Sequence, residues 1–221
     1  MNRSSDIAGI ILLIICIISL AITINQLVRN KNSFYIRLIV LYIFLTVFQL
    51  SLGAYITTFS APPNSNKASI VNISVYIYII FEYIILSFLI SNFIVSEFIK
   101  KIIKLSCILF PAIAIFNWFY FDSFIIALSI SNTMEGILLI ISSLYFFQEL
   151  IRTPIIPQLE KDPSFWIVIG ILFLFICITP YYLSFEYFKA IPQMQIIDYV
   201  AYLIIIVLFT KASLCKPIFR K

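Results

Sequence analysis

Histidine is absent from this chain of 221 residues. Without it the chain cannot form a Ser-His or Cys-His nucleophile pair, an HExxH zinc site or a phosphoaccepting histidine. Chemistry based on lysine or carboxylate groups stays open, but no nucleophile motif accompanies it. We therefore expect a protein that is not an enzyme and that holds no cofactor and no metal ion.

Paired cysteines and close glycine pairs are also missing. The four cysteines, Cys16, Cys107, Cys177 and Cys215, are far apart and form no CxxC pair, which disfavours a disulfide framework or a zinc site. The four glycines form no GxxxG motif, so the sequence does not encode the close helix crossing that this motif gives.

Charge is scarce, since only 11% of the residues are charged and 62% are hydrophobic. An ordinary soluble domain is about 25% charged, so this chain has too few polar residues to cover a water-exposed surface. Its apolar runs approach the ~20 residues that a helix needs to cross a hydrocarbon core of about 30 Å. The composition predicts an all-α, polytopic transmembrane bundle that contacts the lipid bilayer and forms one domain over residues 1–221.

Seven apolar runs separate at polar or proline-containing segments. The first run is too long for the core of a signal peptide and lacks a small-x-small cleavage site, so it counts as a helix. Proline-rich loops are predicted at Phe59–Lys67 and Arg152–Pro163, and kinks at Pro111 and Pro180 inside helices four and six. The predicted helices cover approximately residues 7–27, 38–58, 70–95, 105–121, 129–150, 164–185 and 196–210.

The basic residues predict the orientation. With seven spans, only Arg3, Lys67 and Lys189 of the 15 lysines and arginines fall on the face of the N-terminus. Cytoplasmic segments carry the excess of lysine and arginine, so we expect the N-terminus outside and the C-terminus inside, in a multi-pass protein of the inner (cytoplasmic) membrane. Short basic clusters between apolar runs are typical of topology determinants, so no nucleic acid partner is expected.

Two carboxylates, Glu82 and Glu135, fall inside predicted helices three and five. Such groups are costly in a membrane and face a bundle interior, a cavity or a partner. One interpretation is a ligand or proton site between these helices. The other is a carboxyl satisfied by tyrosine or serine hydroxyls that joins helices.

Further polar residues extend the candidate site. Asn132, Glu135 and Ser142, three and seven residues apart, share one helical face that should point to the bundle core. Asp6, Asp122 and Glu186 are expected at the membrane interface. Asp198, near Tyr199 and Tyr202, either lies at the interface too or extends a polar pocket. The predicted ligand or proton site comprises Glu82, Glu135, Asn132, Ser142 and Asp198.

Three stretches resemble a known family. They are Phe81-Glu82-Tyr83, the pattern Glu135-x-x-Leu-Leu-Ile-Ile-Ser-Ser-Leu-Tyr-Phe-Phe147, and Asp162-Pro-Ser-Phe-Trp-Ile-Val-Ile-Gly170. The chain resembles the uncharacterised seven-helix inner-membrane proteins of Bacteroidota-type bacteria, which are of similar length. Phe173–Pro180 departs from that family, in which a more polar stretch of small residues is expected there. The resemblance implies a seven-helix fold and, because some members accompany sensor kinases, an association with a signalling partner.

The function expected from the sequence is a non-enzymatic sensor or accessory membrane component. Its polar site near Glu82 and Glu135 would bind a ligand, a lipid or a proton, and its basic inner segments would contact a cytoplasmic or membrane signalling partner or anionic lipid. The alternative is a small proton-coupled transporter in which the same carboxylates change protonation. A lipid-modifying enzyme is the third interpretation. The ligand and the oligomeric state stay open.

Overall fold

The computed structural model describes residues 3–30, 33–59, 65–121, 124–152, 159–183 and 194–215, and leaves out the side chains of residues 3–6, 56–59, 65–72, 124–125 and 194–195. The elements in these ranges are seven α-helices and one short 3-10 helix, without a strand. All seven helices are long and apolar enough to cross a membrane. The predicted all-α bundle is therefore confirmed, and the chain has the architecture of a multi-pass membrane protein.

All the helices except the sixth are longer than the apolar runs that predicted them. The 3-10 helix, Leu159–Lys161, precedes the sixth. The helices are α1 (Arg3–Arg29), α2 (Phe34–Phe59), α3 (Ser65–Phe93), α4 (Glu97–Tyr120), α5 (Phe124–Arg152), α6 (Pro163–Leu183) and α7 (Met194–Leu214).

The start of α4 differs most from the prediction. It begins at Glu97 and not at Leu105, so the lysine group at 100, 101 and 104 lies on the helix and not in a connection. Lys100 Nζ lies 2.7 Å from Glu97 Oε1 in an i,i+3 ion pair. An acidic group in the first turn and such a pair both stabilise a helix start. Lysine stems also cover apolar surface while their charges stay at the membrane edge.

Several predicted features lie outside the described residues. They include residues 60–64 and 153–158 of the two predicted loops, Asp122, Glu186, Lys189 and the basic tail from Lys216. Lys67, predicted in a loop, lies within α3. Both α4 and α6 continue through their prolines, Pro111 and Pro180.

The helices form a closed ring in chain order. Each helix packs against the next one along the chain, and α1 packs against α7, which closes the ring. Helix α3 also contacts α5 and α6, and α2 contacts α7. Helix α3 therefore contacts four other helices, and a polar group on the inward face of its middle is surrounded by neighbours.

The two halves of the bundle are packed differently. We call the half with the N-terminal ends of α2, α4 and α6 the packed half, and the opposite half the cavity half. The bundle's middle and packed half contain most of the large side chains that are fully buried, among them Tyr83, Phe146 and Phe209. The cavity half contains the pocket described below.

Candidate ligand site

The centre of the site is Glu82, whose side chain is only 3% exposed in the middle of α3. Its Oε1 accepts hydrogen bonds from the hydroxyls of Tyr42 at 3.0 Å and Tyr78 at 3.2 Å. Its Oε2 accepts one from Tyr202 at 3.2 Å. We call these four residues the Glu82 cluster. It joins α2, α3 and α7 through one carboxyl, as the helix-joining interpretation expects.

A cavity of about 440 Å³ lies directly beside the Glu82 cluster. Tyr78 and Tyr202 belong both to the cluster and to the cavity wall. Thr46 also lines the cavity, and its hydroxyl is hydrogen-bonded to that of Tyr78 at 3.3 Å. A molecule in the cavity would therefore contact the donors that hold Glu82.

The cavity has few polar groups apart from hydroxyls. They are Gln49 of α2, Asn132 of α5 and Asp198 of α7. Asn132 is 8% exposed, and the Oδ1 atom of Asp198 is buried without a hydrogen-bond partner among the described residues. An unpaired buried polar atom costs about 1–3 kcal/mol, so Asp198 is the group in this wall that a ligand would satisfy.

Tyrosines form the rest of the polar wall. Tyr181 and Tyr182 come from the end of α6, where their ring centroids are 5.3 Å apart, and Tyr199 comes from the start of α7. With Tyr78 and Tyr202, five tyrosine side chains surround one cavity. The remaining lining is aliphatic.

Glu135 lies outside the cavity lining but within the same interior. It is 1% exposed, and its Oε1 has no hydrogen-bond partner among the described residues. It lies close enough to Glu82 for the two carboxyls to interact electrostatically. The structure thus brings the two predicted carboxylates into one region, although only Glu82 has hydroxyl donors.

The residues of the predicted polar face of α5 do not all reach the cavity. Asn132 lines the cavity and Glu135 is buried beside it. Ser142 is half-buried, and its hydroxyl donates to the carbonyl of Leu138 at 2.8 Å within its own helix. Ser142 is therefore satisfied locally and lies away from the cavity.

A second polar cluster joins α3, α4 and α5. Ser131 Oγ lies 3.4 Å from the hydroxyl of Tyr76 and accepts a hydrogen bond from Asn117 Nδ2 at 3.4 Å. The ring of Tyr76 meets that of Trp118 edge-on at 4.6 Å. Its polar groups bond one another, so this cluster is a helix-joining contact.

Sequence reasoning missed the tyrosines of the site. It assigned them to an interfacial belt and to packing, whereas Tyr42 and Tyr202 bind the central carboxyl. Only Tyr78 had a local signal, because it precedes Glu82 by one helical turn. The other two depend on which helices surround α3.

Among the described residues, no positively charged side chain lies at the site. Lys100 and Glu97 form a salt bridge at the edge of the packed half, at the end of the bundle opposite the cavity, and no described lysine or arginine lines the cavity. Among the described residues, the electrostatic character of the cavity is therefore set by Asp198, by the carboxyl of Glu82 behind Tyr78 and Tyr202, and by hydroxyl and amide dipoles.

No protein-family model matches this chain, and no match exists among the curated proteins or the solved structures searched.

Proposed function

We propose that the protein is a non-enzymatic membrane sensor or accessory component that binds a small ligand in the cavity and transmits its occupancy to a signalling partner. One observation carries this proposal: the cavity occupies only one half of the bundle. Beyond it, the packed half is filled by fully buried side chains such as Tyr83, Phe146 and Phe209. This arrangement suits the binding of a ligand rather than its passage across the membrane.

The Glu82 cluster supplies the link from ligand to helices. Tyr78 and Tyr202 contact both the cavity and Glu82. A ligand that moves the Tyr202 ring changes a hydrogen bond between α7 and α3, and one that moves the Tyr78 ring changes its hydrogen bond with Thr46 of α2. Such differential contact is what allows a ligand to shift a conformational equilibrium.

The basic end of α4 is the proposed partner surface. Lys101 and Lys104 are exposed there, next to the paired Lys100. On the proposed orientation in the inner membrane, with the N-terminus outside, this surface faces the cytoplasm. It suits an acidic surface on a cytoplasmic or membrane signalling protein.

Purification of the tagged protein from its native membrane in mild detergent, followed by quantitative mass spectrometry, tests this function. We expect a companion in stoichiometric amount that is lost from the triple variant K100Q/K101Q/K104Q. A triple variant with the same loss of charge elsewhere on that face, R29Q/R152Q/K161Q, should retain it. A chain that purifies alone, or a companion that both variants retain, would contradict the proposal.

The alternative function, a proton-coupled transporter, is favoured by one observation. Glu135 is buried with an unbonded oxygen beside a second carboxyl, and intramembrane carboxyls of this kind mark proton relays. Proton flux in liposomes separates the two functions. Flux that Glu135→Gln abolishes would establish transport, whereas equal passive leak in both proteins is expected from a sensor.

A further inference from the structure

We infer that the cavity binds an organic cation: an ammonium group carried on a small apolar body. This inference rests on the proposed ligand-binding function and names the class of ligand. It depends on one carboxylate, a set of aromatic rings and the size of the space between them.

The carboxylate is Asp198. It lines the cavity, and its Oδ1 is buried without a hydrogen-bond partner among the described side chains. Asp198 as a whole is half-buried, so this one buried oxygen is the part of its carboxylate that needs a donor or a cation. An anionic ligand would be repelled by this carboxylate, and no described lysine or arginine in the lining would offset the repulsion. A neutral apolar ligand would leave the Oδ1 atom of Asp198 without a partner.

The rings lie beside that carboxylate. Asp198 interacts electrostatically with Tyr181 and Tyr182, and Tyr199 is its chain neighbour in the same wall. The negative face of an aromatic ring attracts a cation within about 6 Å, and groups of such rings recognise quaternary ammonium ligands. Aromatic rings with one carboxylate favour an ammonium over a hydrogen-bonding neutral group.

No group of three or more His, Cys, Asp or Glu side chains that could hold a metal ion occurs among the described residues, so the cavity lacks a ligand set for a bare metal ion. Its volume of about 440 Å³ falls within the ~300–1,000 Å³ typical of sites for small organic molecules. A single metal ion would leave most of that space unfilled. The aliphatic lining, which includes Leu12, Leu50 and Val75, suits the apolar body of the ligand.

Calorimetry on the full chain in a neutral maltoside detergent tests this inference with three probes. Choline and tetraethylammonium carry the cation, and 3,3-dimethylbutan-1-ol replaces the nitrogen of choline with carbon. We expect the cations to bind and the neutral alcohol to bind at least about tenfold more weakly, because it lacks the attraction to the rings and to the carboxylate. Equal binding of choline and the alcohol, or no binding of either cation, would overturn the inference.

Two pairs of variants assign the binding to the named groups. Asp198→Asn should weaken choline binding about tenfold or more, whereas Glu97→Gln, which removes an exposed carboxylate at the other end of the bundle, should leave it unchanged. Tyr181→Phe keeps the ring and should retain binding, and Tyr181→Leu should weaken it. Unchanged binding in Asp198→Asn would place the probe elsewhere and overturn the inference.

The failures of the two proposals are distinguishable. A companion that co-purifies while neither cation binds contradicts the ligand class alone. Binding of choline by a chain that purifies without a companion contradicts the signalling function alone. Melting temperatures of the variants, measured in the same detergent, show that each one is folded before its affinity is compared.

Discussion

At the scale of single residues, Glu82 shows how a carboxyl is accommodated in the interior of a membrane bundle. Three tyrosine hydroxyls donate to it, and each such bond contributes about 1–2 kcal/mol in model membrane systems. The sequence predicts that this residue faces inward, because charge is costly in lipid. It does not predict the donors from α2 and α7, since they are 40 and 120 residues away along the chain.

The hydroxyl of Tyr42 should have a measurable effect on stability. Tyr42→Phe keeps the buried ring, which packs against Phe209 at 5.2 Å, and removes one hydrogen bond to Glu82. We expect a loss of about 1 kcal/mol, seen as a lower melting temperature of the purified protein in detergent.

The matched control is Tyr120→Phe. Tyr120 is 68% exposed, and its stacking on Phe116 is retained by a phenylalanine ring. Equal melting temperatures for the two variants would show that the hydrogen bond from Tyr42 to Glu82 contributes nothing to stability.

At the scale of helices, the length of the apolar runs predicts the existence of all seven, whereas their boundaries depend on capping contacts. The start of α4 is the example. Glu149 of α5 accepts hydrogen bonds from the backbone N–H groups of Val95 at 2.7 Å and Ser96 at 3.0 Å. These N–H groups lie between α3 and α4, and an acceptor from another helix has no signature in the local sequence.

Removal of this contact should loosen the α3–α4 connection. Glu149→Ala leaves the two N–H groups without that acceptor, and loss of a helix cap costs about 0.5–2 kcal/mol. We expect faster amide hydrogen exchange at residues 95–97 in the variant. Gln148→Ala, an exposed neighbour, is the control, and equal exchange in both would contradict the capping role.

Helices α5 and α6 approach each other closely at Gly136. A Cβ atom added at Gly136 would overlap the hydroxyl of Thr179, whereas one added at Gly53 would meet nothing within 4 Å. Overpacking of a tight contact costs about 1–3 kcal/mol, and alanine is otherwise favoured over glycine in a helix by about 1 kcal/mol.

We therefore expect the two substitutions to have opposite effects. Gly136→Ala should lower the melting temperature, and Gly53→Ala should leave it unchanged or raise it. The double variant Gly136→Ala/Thr179→Ala should recover much of the loss, because it removes the overlapping hydroxyl. A destabilised Gly136→Ala that the second substitution fails to rescue would assign the effect to another contact.

At the scale of the whole molecule, composition and run length are enough to predict a seven-helix membrane bundle. The cavity is not predictable in this way. Its walls come from six helices, and residues as far apart as Leu12 and Tyr202 line it. The order of helices around α3 decides which polar residues meet, and local periodicity does not encode that order. Asn132 and Ser142 share a predicted face, yet only Asn132 reaches the cavity.

The predicted orientation is testable on α4 alone. Lys101 and Tyr120 are exposed near opposite ends of this helix, so in a cysteine-free background Lys101→Cys and Tyr120→Cys report opposite faces. A membrane-impermeant maleimide applied to spheroplasts should label Tyr120→Cys only. Both positions should react after permeabilisation, and the reverse pattern in spheroplasts would place the N-terminus inside.

The confinement of the cavity to one half of the bundle has a thermodynamic consequence. Under the proposed sensor function, a ligand in the cavity meets the Glu82 cluster and then close-packed side chains, so it leaves by the end of the bundle at which it entered. Occupancy is then set by the free concentration at that end alone. On that proposed function the protein performs no work on the ligand, and it senses the ligand's concentration on one side of the bilayer without dissipating a gradient.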